Sequence, residues 1–464
     1  MTRLRFDRGT VCVEDDRAAD RLPGVMWDPR SFAFRAPAYE APAIVAHLQA
    51  NGKTTESVPW PTNRIDSGHW SGAPREGGKE WLRPYQQGSL DAWVAAGMRG
   101  LVVVPTGGGK TRIALAAMAT LQLPTVILCP TRALLEQWRS EIRKVYGGKV
   151  GVIGDGARHV EDVTVMTFES AYRHMDTFGS HFALLVVDEA HHFASGARVE
   201  ALEMSTAPYR LGLTATAPTV DGGSLGPLEH LVGRIVSEVA LGELLGTHLA
   251  ALEMVRISVS LTPEERAEYE RHLSSFEAMA RAFRRTSPFG DWAALAAALS
   301  ATEQGREALR GFMRARAMCS LPMAKREMTL RLLARHSEDK ALVFTQQVED
   351  AYRIGHDALV PVLSAETARD ERDAILAGFR TGKTRVLVSA RVLNEGLDVP
   401  DARVAILVGG ALGTRELVQR VGRVLRAAPG KHALVYELVT EGSLDERRSQ
   451  RKRAHLAAAF PALA

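Results

Sequence analysis

Leu101-Val102-Val103-Val104-Pro105-Thr106-Gly107-Gly108-Gly109-Lys110-Thr111 is the stretch on which the fold turns. Its aliphatic run predicts a strand buried on both faces, its glycines a tight loop, and the residues from Thr111 to Leu121 a helix. In such a loop successive backbone N–H groups close around the β-phosphate of a nucleoside triphosphate. Lys110 then reaches the β/γ oxygens and Thr111 offers its hydroxyl to Mg²⁺. Thr106, Gly107, Gly108, Gly109, Lys110 and Thr111 are therefore the candidate nucleotide-binding residues. Val104 stands where the full motif has its outermost glycine, so the loop alone is a moderate signal.

A second segment raises it. Ala183-Leu184-Leu185-Val186-Val187-Asp188-Glu189-Ala190-His191 reads as another buried strand, ending in two carboxylates. Asp188 is suited to hold Mg²⁺ and Glu189 to polarise an attacking water, which with Lys110 completes a centre for γ-phosphate hydrolysis.

Around these two strands, apolar runs alternate with amphipathic helices from residue 79 to 240: Leu101 to Val104, Val126 to Cys129, Val163 to Met166, Ala183 to Val187 and Arg210 to Leu213. A similar series follows residue 241, with strands at Ala341 to Phe344, Arg385 to Val388, Val404 to Val408 and Ala433 to Tyr436. Both read as parallel sheets covered by helices, and only the first carries a phosphate loop. Residues 262–323 separate the series with a helix-favouring composition that opens at Thr262-Pro263-Glu264-Glu265, an N-cap followed by Pro and two acids. Arg306, Arg310 and Arg314 recur there every fourth residue, either as a face that tracks a phosphate backbone or as an ordinary solvated one. Residues 1–78 hold seven of the 21 prolines and Trp27, Trp60 and Trp70, and read as a small α+β module with a Gly/Pro/Ser linker from Ser67 to Gly78. Those tryptophans are either core or stacking platforms for bases.

The chain has 464 residues, 46% hydrophobic, enough for two to four domains. Its 58 Lys and Arg against 54 Asp and Glu leave a net charge of +4, and the pI is about 9.0, which permits a polyanionic partner without requiring one. Cys12, Cys129 and Cys319 are widely spaced and suggest neither a disulfide framework nor a zinc site, so a reducing cytoplasm is expected. No metal beyond Mg²⁺, no export signal and no membrane span are expected.

Further segments end strands at the same sheet edges. Pro130-Thr131-Arg132-Ala133-Leu134-Leu135-Glu136-Gln137-Trp138 starts a helix that suits a phosphodiester, or is simple capping. Leu213-Thr214-Ala215-Thr216 offers two hydroxyls that could link the carboxylates to a bound strand, or is a plain loop. In Gln419-Arg420-Val421-Gly422-Arg423-Val424-Leu425-Arg426, Arg423 and Arg426 share a helical face with Gln419 and suit the arginine-finger role; the alternative is surface salt bridging.

Arg83-Pro84-Tyr85-Gln86, the phosphate loop, Pro130 to Trp138, Asp188-Glu189-Ala190-His191, Thr214-Ala215-Thr216, Phe344-Thr345, Gly396-Leu397-Asp398 and Gln419 to Arg426 form an ordered set. The set resembles that of superfamily 2 helicases and translocases, and the chain to about residue 450 resembles the XPB-like DNA helicases of archaea and bacteria. That resemblance implies an α/β fold: two RecA-like parallel-sheet domains in tandem, preceded by a small damage-recognition-like module and carrying a helical thumb-like insertion. It implies that Arg83 and Gln86 read the adenine side of ATP, that Gly396 and Asp398 belong to the nucleotide site, and that His191 and Gln419 join the catalytic set. It places Arg132, Thr214, Thr216, Thr345 and Arg391 near the DNA track. It further implies 3′ to 5′ movement on single-stranded or forked DNA, nucleotide excision repair, a nuclease partner and a chain that works as a monomer.

One departure bears on strand separation. The family carries an Arg-Glu-Asp element soon after Thr-Ala-Thr, and here the stretch reads Ala217-Pro218-Thr219-Val220-Asp221-Gly222; Asn394 also replaces a common acid. Two alternatives to a helicase therefore stand: a duplex translocase that drives a nuclease without unwinding, and an ATP-gated clamp that does not move. RNA as the track is equally compatible with phosphate-gripping residues.

Overall fold

The computed structural model describes residues 2–14, 19–70, 81–154, 156–217, 225–244, 247–248, 251–287, 290–390, 402–409 and 432–459. Among them the chain divides into two compact units, one running to Ala240 and the other starting at Leu241.

The first unit opens with four strands, β1 (Arg3–Asp7), β2 (Thr10–Glu14), β3 (Met26–Asp28) and β4 (Ala33–Pro37), in the antiparallel order β1-β2-β4-β3. Leu4, Val11 and Val13 bury one face of this sheet with Ile44 and Leu48 of the helix Ala41–Ala50. Hydrogen bonds tie the module and its linker to the remainder of the unit: Thr206 Oγ1 donates to the Pro59 carbonyl at 2.6 Å, Ile65 N–H to that of Gln122 at 2.7 Å, and Gly147 N–H to that of His69 at 2.7 Å. Trp70 is buried against Tyr146, with ring centroids 4.7 Å apart, so it is core and not a base platform. Trp60 packs against the module's core, whereas Trp27 is half exposed beside Phe32 and Phe34.

The rest of the unit is an eight-stranded sheet of β5 (Arg99–Val103), β6 (Thr125–Cys129), β7 (Val150–Gly154), β8 (Ala157–His159), β9 (Val163–Thr167), β10 (Leu184–Asp188), β11 (Tyr209–Thr214) and β12 (Ile235–Glu238). Their order is β12-β5-β11-β10-β6-β9-β7-β8, and all pairs but β7–β8 are parallel. Every residue of β6, β9 and β10 is buried, as continuous apolar runs covered on both faces require. β7, β8 and β12 were not evident in the sequence, because they lie toward the margins and lack such runs.

Buried within this sheet is Arg210 of β11, fully inaccessible, which donates to the carbonyls of Leu202, Ser205, Ala207 and Leu231. Burial pulls its pKa down to about 9, still above neutrality, so it stays charged. Its fork gathers four carbonyls that no strand would satisfy, Leu202 and Leu231 from the short helices Glu200–Glu203 and Leu228–Leu231, and Ser205 and Ala207 from the segment leading into β11.

In the second unit β13 (Ala251–Val259), β14 (Ala341–Thr345), β15 (Val362–Leu363), β16 (Val386–Ala390), β17 (Val404–Leu407) and β18 (His432–Thr440) form an all-parallel sheet of order β13-β18-β17-β14-β16-β15. Between β13 and β14 lie the helices Pro263–Thr286, Trp292–Ser300, Glu303–Met318 and Met323–Arg335. Thr262 caps the first through a reciprocal capping box with Glu265. Phe276, Leu299, Phe312 and Ala315 form the core of this helical segment. Gly311 lets the first and third helices approach, since a Cβ there would strike the His272 carbonyl. Lys325, fully buried, ties the segment to the C-terminal helix Leu444–Ala459 through a 2.7 Å ion pair with Asp445. No helix among the described residues is long and apolar enough to cross a membrane.

Candidate nucleotide site

The parallel sheet of the first unit brings four loops to one edge: the phosphate loop after β5, Pro130-Thr131 after β6, Glu189 after β10 and Ala215-Thr216 after β11. In open α/β sheets this carboxyl edge is where ligands bind.

Gly107 and Gly109 hold φ of 86° and 81°, the left-handed region that a glycine enters without strain. Lys110 then begins the helix Lys110–Leu121, and its Nζ donates to the Val104 carbonyl at 3.3 Å. The loop is braced from the helix Pro84–Ala95: Tyr85 Oη and Gln86 Nε2 both donate to the Gly108 carbonyl, at 2.7 and 2.8 Å. Gln86 Oε1 accepts from the Arg83 N–H at 2.9 Å. Gln86 is buried, and a Cβ on Gly109 would collide with its amide, so this side chain acts first on the loop's shape.

Asp188 ends β10 with Oδ2 accepting from Trp138 Nε1 at 2.9 Å and Oδ1 from the Glu189 N–H at 3.0 Å. Burial and then the charge of Glu189 push its pKa up to about 6, against the downward pull of Lys110 and the Trp138 N–H. Glu189 itself holds φ of 50°, a left-handed conformation that costs a non-glycine residue on the order of 1 kcal/mol or more. That bend turns its carboxylate off the strand line. Glu189 Oε2 is buried without a hydrogen bond and lies 3.4 Å from His191 Nδ1. The same His191 nitrogen is 3.2 Å from Thr214 Oγ1, which donates to the Thr216 carbonyl at 2.9 Å.

Two of the expected DNA-contacting threonines are thus interior. Thr214 is fully buried and engaged with His191 and Thr216, and Thr345 at the end of β14 is 1% exposed with its hydroxyl donating to the Gln347 carbonyl. Arg132 is exposed at the start of its helix, behind the Thr131 N-cap that accepts from the Leu134 N–H at 3.3 Å. Gly396, Asp398, Arg391, Asn394, Gln419, Arg423, Arg426 and the Thr219-Val220-Asp221 stretch lie outside the described residues. Spacing did not reveal two contributors. Tyr85 and Trp138 act across elements, and only the order of the strands brings Trp138 beside β10.

The residues present fit a triphosphate with Mg²⁺. Among the described residues Thr106 Oγ1 in the loop and Glu189 Oε2 are buried polar atoms that make no hydrogen bond, the latter with only the His191 ring nitrogen at 3.4 Å, as groups awaiting a polar ligand are. Among the described residues no cluster of three His, Cys, Asp or Glu side chains could hold a metal alone. Asp188 and Thr111 offer two ligands, in keeping with an ion that takes its others from phosphate and water.

Comparison with known proteins identifies the family. Residues 79–219 match the family model of the type III restriction enzyme res subunit, 324–428 the helicase conserved C-terminal domain, and 4–56 the damage recognition domain of xeroderma pigmentosum group B helicase. A DNA 3′-5′ translocase XPB2 of Sulfurisphaera tokodaii is 34% identical over 98% of this chain and 100% of its own length. The DNA 3′-5′ helicase XPB of Mycobacterium tuberculosis is 26% identical over 97% of this chain and 78% of its own. The crystal structure of the Pyrococcus furiosus Hef helicase domain superposes with a TM-score of 0.51 at 18% identity, covering 80% of this chain and 98% of that one, which supports the fold of two RecA-like domains. The module, the two sheets and a relative aligned from end to end leave one assignment: the chain belongs to the XPB-like family of superfamily 2 DNA helicases and translocases.

Proposed function

We propose that the chain is an ATP-driven motor that moves 3′ to 5′ on DNA and serves nucleotide excision repair. The observation that carries the reading is Glu189 Oε2, buried and without a hydrogen bond, at the same sheet edge as a phosphate loop whose Thr106 hydroxyl is in the same condition. Lys110 would exchange the Val104 carbonyl for the β/γ-phosphate oxygens, Asp188 and Thr111 would hold Mg²⁺, and Glu189 would orient a water and accept its proton. Mg²⁺ supplies neutralisation of charge on the phosphate oxygens. Arg423 and Arg426, with Gln419, serve as the charge-stabilising set contributed by the second domain, and Gly396 and Asp398 complete the nucleotide's surroundings.

His191 stands between Glu189 and Thr214, so a shift at the carboxylate is felt by the Thr214-Thr216 loop. Through that contact and the exposed Arg132, the hydrolytic cycle alters the grip on DNA. Thr345 and Arg391 are assigned to the second domain's share of that grip, Thr345 through the loop it shapes. The test is ATP turnover with and without DNA: Lys110→Ala and Glu189→Gln abolish the stimulated rate in folded protein, and normal turnover in either variant contradicts the assignment.

A second reading has its own support. Thr219-Val220-Asp221 replaces Arg-Glu-Asp, and the relative aligned over its full length is named a translocase. On this reading the chain tracks duplex DNA for a nuclease partner, and it displaces a triplex-forming strand while leaving a 3′-overhang duplex intact.

A further inference from the structure

Arg210 holds two segments of backbone at once. β11 is paired on one side with β10 and on the other with β5, so the guanidinium is mounted on the rigid middle of the first sheet. From there it reaches the carbonyls of Leu202, Ser205 and Ala207 in one segment and of Leu231 in the other, at 2.6 to 3.1 Å. Both segments are built on single-turn helices, Glu200–Glu203 and Leu228–Leu231, which are too short to be stable by themselves. Their placement therefore depends on what grips their backbone. Arg99 of β5 adds a further grip on the second, donating to the His230 carbonyl at 3.0 Å.

Side chains of the same two segments meet the N-terminal module. Met204 presses on Gly9, whose left-handed φ of 80° and missing Cβ make room for it in the turn between β1 and β2. His230 packs against Tyr39 with ring centroids 5.8 Å apart, and Thr206 Oγ1 donates to the Pro59 carbonyl. Tyr39 and Met204 both lie against the apolar core of the first sheet. Burial raises the pKa of the Tyr39 phenol, Glu40 and Glu203 add to the rise and Arg210 opposes it, so the guanidinium's charge is felt within the module. In both segments, then, carbonyls turn to the arginine while neighbouring side chains turn to the module. The strand that carries the arginine ends at Thr214, beside His191.

We propose that Arg210 is the positioning residue for the N-terminal module: it shapes the seat, and the seat carries the module on the first sheet as one body instead of leaving it hung on its linker. This role holds whether the chain unwinds DNA or only tracks it. Its test is the separation of two nitroxide labels in the full-length protein, read by pulsed electron paramagnetic resonance. The labels are attached through Met26→Cys on the module and Tyr172→Cys on the helix Phe168–Phe178, positions 72% and 44% exposed, while the three native cysteines are buried. With Arg210 intact the labels show one narrow separation. Arg210→Lys keeps the charge but replaces the fork by a single head, and the narrow separation is lost. It spreads by roughly 10 Å, the range of a module tethered by the short stretch between Pro59 and Ile65. The variant still binds a fluorescent ATP analogue as wild type does, which separates a displaced module from a damaged sheet. Tyr39→Ala combined with Thr206→Val leaves Arg210 and its carbonyls in place and spreads the separation in the same way. A narrow separation in Arg210→Lys overturns the role, as does a narrow one in the double variant or a broad one with native Arg210. Arg210→Lys that no longer binds the ATP analogue marks the residue as support for the whole sheet and overturns it as well.

Discussion

Trp138 donates its indole N–H to Oδ2 of Asp188 across 2.9 Å, joining the helix that follows β6 to the carboxylate that ends β10. Both groups are buried, so this bond fixes the orientation of Asp188 before any ligand arrives. Trp138→Phe keeps the ring and deletes the donor. A hydrogen bond to a charged group contributes about 1.5–3 kcal/mol, so the Mg²⁺ concentration needed for half-maximal binding of a fluorescent ATP analogue rises about 10-fold or more. Unchanged Mg²⁺ dependence shows that Asp188 is held by its other contacts.

Asp188 also predicts a pH dependence. Its folded pKa of about 6 lies above the unfolded carboxylate value of about 3.9, so folded protein retains a proton that the unfolded chain releases between those limits. The stabilising contribution is complete below about pH 4 and is lost as pH rises through about 6. Asp188→Asn lacks that loss. Without Mg²⁺ the variant is therefore more stable than wild type at pH 7.5, by up to roughly 3 kcal/mol, and equal to it near pH 4. Denaturant unfolding at the two pH values reads the difference; a variant less stable than wild type at pH 7.5 contradicts the account.

Gln86 permits two distinguishable outcomes. Its amide joins the Arg83 N–H to the Gly108 carbonyl, which makes it a brace for the phosphate loop. Gln86→Ala then raises KM for ATP and GTP by similar factors. Selective loss of ATP use, with GTP unaffected, assigns the residue to the adenine instead.

Arg210 is the most exposed to mutation in the energetic sense, because its removal takes the guanidinium donors from four carbonyls, of which Leu202 keeps a 3.4 Å bond from the Ser205 N–H, and its charge has no substitute. Arg210→Met leaves the fork empty and costs about 3–5 kcal/mol, read as a lowered denaturation midpoint of the first unit. A loss under about 1 kcal/mol means that water replaces the guanidinium there.

These findings show which parts of the molecule local sequence encodes. The phosphate loop and the Asp188-Glu189 pair were legible because each follows a fully apolar run, and a parallel strand buried on both faces tolerates nothing else. β13 was not, since Ala251–Val259 mixes polar and apolar residues as edge strands do, and only its pairing with β18 identifies it. Arg210 reads as the outer limit of a strand until four carbonyls are seen to converge on it. Thr214 reads either as a hydroxyl linking the carboxylates to a bound strand or as plain loop, and Thr345 is placed near the DNA track by resemblance alone; both side chains are buried. Spacing along the chain reports what a residue does for its own element; Trp138 acts on a neighbour brought close by topology.

The central claim is tested most directly by displacement of a labelled triplex-forming strand from duplex DNA, with wild type and Glu189→Gln compared in the presence of ATP. The account predicts displacement by wild type that runs 3′ to 5′, requires hydrolysable ATP and is abolished in Glu189→Gln. Displacement by Glu189→Gln at the wild-type rate, or none by a wild-type protein that hydrolyses ATP and binds the duplex, contradicts it.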